Sequence, residues 1–200
     1  HTFWGVFGGK YRVLVNVPIS ISSAVVSASV PAVTASFASH DMDGVSQKIG
    51  NATHYSMVIA FPCAVGLGVL ASPVMQLLFH DSTPLAAHML QVGVISVVFY
   101  SLSTLSNGIL QGINRMKVPV IHAAIALVLQ AGLLVGLMYV GNLNIFAVIW
   151  ANTFFAFLMC LLNGYGIYRH LGFKQEFKKT FFIPALCSGI MGVIVYVVYM

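Results

Sequence analysis

Mostly apolar stretches of about 20 residues or more recur six times along the chain, roughly over 11–38, 52–79, 85–112, 118–140, 145–168 and 181–200. A helix crosses the hydrocarbon core of a bilayer with about 20 such residues. Transmembrane strands would show shorter segments alternating with period two, and none appear. The pattern predicts an all-α integral membrane bundle of about six transmembrane helices, forming one transmembrane domain over 1–200. The segments between are short and polar: His40–Asn51, His80–Pro84, Asn114–Lys117, Gly141–Asn144 and Arg169–Thr180. His1–Lys10 is Gly-rich and aromatic, which suits a connection at headgroup level.

Polar positions break the apolar background most regularly in the first stretch. Arg12, Asn16, Ser20, Ser23, Ser27 and Thr34 are spaced by 4, 4, 3, 4 and 7. At 3.6 residues per turn they share one helix face, and the other faces are mostly Val, Ile and Ala. Lipid requires no polar stripe, so this face should meet protein or water. Pro18 and Pro31 can each bend the helix by removing a backbone donor. A bent membrane helix with a polar stripe headed by a cation suggests one wall of a solute cavity. The alternative is a helix enclosed among others, its serines bonded to its own carbonyls. Lys10, Arg12, Asn16, Ser20, Ser23 and Ser27 are the candidate binding residues. Lys10 and Arg12 suit an anionic phosphate, as a point charge and a two-pronged fork.

Composition narrows the function class. The chain is 59% hydrophobic and 6% charged, against about 25% charged in soluble domains. The net charge of +5 is spread over short loops, so no nucleic-acid partner is expected. Cys63, Cys160 and Cys187 all lie in apolar runs, which indicates neither disulfides nor a metal site. No nucleophile elbow, zinc helix or phosphate loop occurs. The acids Asp41, Asp43, Asp81 and Glu176 all fall between spans. No catalytic residue, metal or cofactor is expected, and the chain reads as a transporter rather than an enzyme. A membrane-embedded transferase would need acids or a metal at the bilayer surface. Inside the spans, His122, Asn107, Gln111, Gln130, Asn152 and Asn163 are expected mainly to bond between helices.

Lys and Arg sort the loops. Two of them, Lys10 and Arg12, lie on one side, and seven on the other: Lys48, Arg115, Lys117, Arg169, Lys174, Lys178 and Lys179. The positive-inside rule places loops 40–51, 113–117 and 169–180 in the cytoplasm. Lys10 and Arg12 stand on the outer side against that rule, where snorkelling to headgroups is the alternative role. Gly108–Gly112 and Gly132–Gly136 are small-xxx-small pairs that permit close helix approach.

Three ordered blocks resemble a known family. KYRVLVNVPISISSAVVSASVPAVTASFAS is similar to the eighth helix of bacterial flippases in the multidrug/oligosaccharidyl-lipid/polysaccharide exporter superfamily. IAFPCAVGLGVLASPVMQLLF is similar to the ninth. NGILQGINRMKVPVIHAAIALVLQ is similar to the turn between the tenth and eleventh. The branch resembled is that of stage V sporulation protein B and the polysaccharide transporters, near the lipid II flippases. The resemblance implies the C-terminal part of a MATE-like fold of about fourteen helices, here the eighth to thirteenth. It implies a missing N-terminal lobe of the same chain and a bacterial plasma-membrane location. It also implies alternating access for a lipid-linked oligosaccharide or cell-wall precursor. In lipid II flippases an arginine near the start of this helix meets the diphosphate. Counted from Pro18 the matching position is Val13, and Arg12 stands one residue earlier. A cation-coupled multidrug or metabolite antiporter on the same fold is the alternative. It would need a membrane-embedded acid, which these spans lack.

Overall fold

The computed structural model describes residues 5, 7–80, 84–139, 144–173 and 178–199, and nearly all of these are helical with no strand among them. A π-helical turn at Phe7–Tyr11 runs into α1 (Arg12–Ala38). Then come α2 (Met42–Val69), α3 (Ala71–Phe79), α4 (Pro84–Gly93), α5 (Ile95–Gly112), α6 (Lys117–Tyr139) and α7 (Asn144–Leu171). A second π-helical turn, Lys178–Phe182, opens α8 (Ile183–Tyr199). Among the described residues five helices are long and apolar enough to cross a membrane, and six if α4 and α5 are one span bent by 41°. The chain is a multi-pass, all-α membrane protein.

Three boundaries differ from the sequence expectation. The expected loop 40–51 is mostly helix, because α2 begins at Met42. Asp41 caps it, its Oδ1 accepting from the Gly44 N–H at 2.9 Å. Asp43 in the first turn complements the helix dipole. Val45 and Ile49 bury the inner face of these polar turns. At 1.5 Å per residue, α2 is about 42 Å long, more than the roughly 30 Å hydrocarbon core, so its end need not be apolar. The second span does not run unbroken through 52–79. It breaks at Leu70, three residues before Pro73, whose ring opposes a helical carbonyl at position 69. The expected loop 169–180 is helical up to Leu171 and again from Lys178, while 174–177 lie outside the described residues. The expected turns at 81–83 and 141–143, and residues 1–4 and 6, also lie outside them.

Helix α5 is the centre of the bundle, touching α1, α2 and α7; α6 packs on α7 at one edge and α8 on α2 at the other. Missing Cβ atoms set the close approaches. A Cβ on Gly108 would stand 2.5 Å from Val26 Cγ1, and one on Gly112 2.8 Å from Thr34 Oγ1. Thr34 donates to the Gly112 carbonyl at 3.0 Å, and Ser22 to Ser101 at 3.0 Å. These pairings make α1 and α5 parallel. The first small-xxx-small pair is therefore the α1–α5 contact. The second, Gly132 and Gly136, has nothing within 4 Å of either added Cβ. Gly93 leaves room for the ring of Tyr11, which rests directly on it. Ser96 closes that junction, donating to the Gly93 carbonyl at 2.6 Å and bonding the Tyr11 hydroxyl. The bend between α4 and α5 thus holds the start of α1.

Candidate functional site

The outward face of α1 is divided lengthwise. Arg12, Asn16, Ser20, Ser27 and Thr34 are exposed and Ser23 is half-buried. They lie beside α5, as the Thr34–Gly112 bond shows. Val13, Val17, Ile21, Ala24 and Ala28 are also exposed, but they form a separate apolar strip toward α2. The α2 border is marked by Lys48, whose Nζ donates to the Ala32 carbonyl at 3.1 Å and to the Ser36 hydroxyl at 2.5 Å. Lys48 is therefore folded back onto α1 rather than displayed in a loop.

The structure shows how the stripe is bonded and how far it is exposed. Its hydroxyls do bond back to their own helix: Ser20 to the Asn16 carbonyl, Ser23 to Ile19 and Ser27 to Ser23, at 2.9, 3.0 and 3.0 Å. Yet the stripe is not enclosed, since most of it is exposed on the bundle surface. The helix runs unbroken through both prolines, Pro18 and Pro31. Lys10 is half-buried in the turn before α1.

A second polar strip lies on α5. Tyr100, Thr104, Asn107 and Gln111 are spaced by 4, 3 and 4, so they share one face; three are half-buried and Gln111 is exposed. One border of this strip meets α1 through Ser101, Gly108 and Gly112. The other meets α7, where Phe99 packs edge-on against Phe157 and Asn107 bonds Asn163. The back of α5 is buried by α2. Hence the α5 strip is the floor of a trough, with the polar flank of α1 as one wall. Tyr100 and Arg12 are close enough to interact electrostatically, which joins the strips at the end where α1 begins. Sequence spacing of α5 alone carried this signal. What the sequence lacked was the register that turns both strips to the same side.

The amide network behind the floor links three helices. His122 Nδ1 and Asn163 Oδ1 are 2.9 Å apart, and Asn163 Nδ2 donates to Asn107 Oδ1 at 2.6 Å. Gln130 donates to Asn152 at 2.7 Å, joining α6 to α7. Interhelical bonding, the role expected of His122, Asn107, Gln130, Asn152 and Asn163, is what the geometry shows; Gln111, of which the same was expected, is exposed instead. The histidines His40 and His80, with Asn114, instead end α1, α3 and α5 in left-handed conformations, at φ 60°, 50° and 60°. No cluster of three metal-ligating side chains occurs among the described residues.

On the opposite side of α5 lies an apolar cavity of about 830 Å³ between α2, α5 and α7, lined among others by Phe99, Leu102, Leu105, Phe157 and Ile167. Its Thr53 and Ser106 hydroxyls are bonded to the carbonyls of Ile49 and Leu102. It offers little to a charged head group. The trough and this cavity therefore differ sharply in chemistry across one helix.

Four of the described basic residues share one end. Lys48 lies by Ser36, Arg115 follows α5, Lys117 opens α6, and Arg169 lies in the last turn of α7. Lys10 and Arg12 lie at the opposite end. Of the curated proteins, the lipid II flippase MurJ of Bacillus subtilis (strain 168) is 29% identical over 191 residues, covering 92% of this chain and 34% of that protein. The chain thus spans about a third of that relative's length. No solved structure matches it. The MatE pattern matches residues 13–136, from the first turn of α1 almost to the end of α6 and including the whole α5 floor. With that match over more than half its length, the chain belongs to the MatE family.

Proposed function

We propose that the chain is part of a bacterial plasma-membrane flippase that moves a lipid-linked oligosaccharide or cell-wall precursor by alternating access. Its trough forms one wall of the central cavity, and a further lobe of the same protein forms the other. Lys10, Arg12, Asn16, Ser20, Ser23 and Ser27 meet the polar head of the substrate, with Arg12 at the diphosphate. The lipid tail stays in the bilayer, and no bond of the substrate is broken. The end bearing Lys48, Arg115, Lys117 and Arg169 faces the cytoplasm.

The observation that carries this reading is the pairing of the two polar strips on one side of α5. An exposed polar strip on an otherwise apolar helix is costly against lipid and cheap against a wet cavity. Its continuation onto a second helix gives that cavity a floor. The lipid II specificity of the relative's name agrees with an anionic, sugar-bearing head. The described acids Asp41 and Asp43 sit where α2 begins rather than along the trough. That weighs against an antiporter whose coupling ion binds in this lobe.

Arg12→Ala tests the assignment in the full-length protein. Loss of one charge-assisted contact should weaken binding of a polyprenyl diphosphate about 10- to 150-fold. Complementation of a flippase-depleted strain should fail at normal membrane levels. Arg12→Lys should retain part of the activity, since the charge survives without the fork. The control is Val17→Ala on the apolar strip. Equal complementation by Arg12→Ala and Val17→Ala would reject the cavity assignment and leave Arg12 as an interfacial anchor.

A further inference from the structure

The amide chain behind the trough floor has a direction. Asn163 is fully buried, with Oδ1 facing His122 Nδ1 at 2.9 Å and Nδ2 donating to Asn107 Oδ1 at 2.6 Å. An amide oxygen only accepts, so this arrangement pairs with the His122 tautomer that carries its hydrogen on Nδ1. This orientation of Asn163 fixes Asn107 as well. Its oxygen is used by Asn163, and its NH₂ group is left without a partner among the described residues. Asn107 shares the face of Tyr100, Thr104 and Gln111, so the NH₂ group belongs to the trough.

Position along the trough separates this donor from Arg12. Ser101 meets Ser22, and Gly108 meets Val26, on the parallel α1. Asn107 is therefore level with Val26 and Ser27. Arg12 lies fifteen residues before Ser27, about 22 Å away at 1.5 Å per residue. One diphosphate cannot span that distance.

We propose that Asn107 is a substrate-contact residue that donates to an oxygen of the sugar portion of the head group, a hydroxyl or an N-acyl carbonyl, while the diphosphate is held near Arg12. His122 and Asn163 are positioning residues that keep the Asn107 amide turned donor-outward. This inference rests on the flippase reading, and it adds the part of the substrate that the deep end of the trough reads.

The test uses the purified full-length protein in detergent and two synthetic probes, a polyprenyl diphosphate and the same lipid bearing an N-acetylated disaccharide. Asn107→Leu should weaken the sugar-bearing probe about 3- to 10-fold, as expected for a neutral hydrogen bond, and leave the bare diphosphate unchanged. The unchanged probe also reports that the variant is folded. His122→Leu should show the same selective loss. His122→Asn should restore binding, because its amide NH₂ replaces the Nδ1 donor. Arg12→Ala should weaken both probes. Wild-type affinity of Asn107→Leu for the sugar-bearing probe, with Arg12→Ala weak on both, overturns the inference and leaves the flippase reading standing. Equal loss on both probes also overturns it, because Asn107 then does not read the sugar. Binding of neither probe by the wild-type protein rejects the flippase reading and this inference together.

Discussion

Gly108→Ala puts the α1–α5 contact under the most direct strain. The new Cβ would lie 2.5 Å from Val26 Cγ1 and 3.1 Å from Val30 Cγ2. Carbon atoms pack best at about 3.5–4.0 Å, so α1 must retreat by about 1 Å or Val26 must leave its place. Overpacking of this kind costs about 1–3 kcal/mol. The same retreat stretches the 3.0 Å bonds Ser22–Ser101 and Thr34–Gly112, which lie on either side of the contact. Half-buried Cys63 and Cys160 provide the assay: a thiol-reactive dye follows their exposure as full-length protein is heated in detergent. Gly108→Ala should unfold at lower temperature than wild type. Gly132→Ala is the internal control, since its Cβ meets nothing within 4 Å and alanine is the better helix former by about 1 kcal/mol. It should be neutral or slightly stabilising. A Gly108→Ala protein as stable as wild type would refute the reasoning, and so would a loss confined to Gly132→Ala.

Three further outcomes are expected. Asp41→Ala should destabilise α2 by about 1 kcal/mol through loss of its cap on Gly44, measured by the same melt; no change would remove Asp41 as a cap. Gly93→Ala should drive the Tyr11 ring off its seat and weaken the bond to Ser96. It should lower thermal stability, and a tolerated alanine would mean that Tyr11 does not anchor α1. A cysteine at exposed Gln47 should react with an impermeant maleimide only when the cytoplasmic side is open, and labelling from outside intact cells would invert the proposed topology.

The long apolar runs were legible because crossing a bilayer imposes length and hydropathy directly on the sequence. What runs of hydropathy do not register is helix that extends past the hydrocarbon. Residues 42–51 are polar for that reason, and their helix is declared by the Asp41 cap and by buried Val45 and Ile49. The break at Leu70 was foreshadowed by Pro73 and its nearby glycines, but hydropathy continues across it. The α1 stripe was legible from spacing alone. Its partner on α5 carries a helical spacing of its own, but the pairing of the two was not legible, because the register that aligns two helices lies in contacts such as Gly108–Val26, far apart in sequence. The two Gly pairs make the same point. Gly108–Gly112 and Gly132–Gly136 look alike on paper, yet only the first meets a neighbouring helix in the described bundle.

The serines of α1 have a polarity that their names conceal. Ser20, Ser23 and Ser27 each give their only hydroxyl hydrogen to a carbonyl of their own helix. What they turn outward is oxygen lone pairs. Such a strip accepts hydrogen bonds and repels phosphate oxygens, which have none to give. Sugar hydroxyls and amide N–H groups are the complementary partners, while an anion is drawn to the cationic end at Lys10 and Arg12. On the proposed function, one helix would thus sort a two-part head group by hydrogen-bond sense, with the head group's charge at one end and its donors along the remainder.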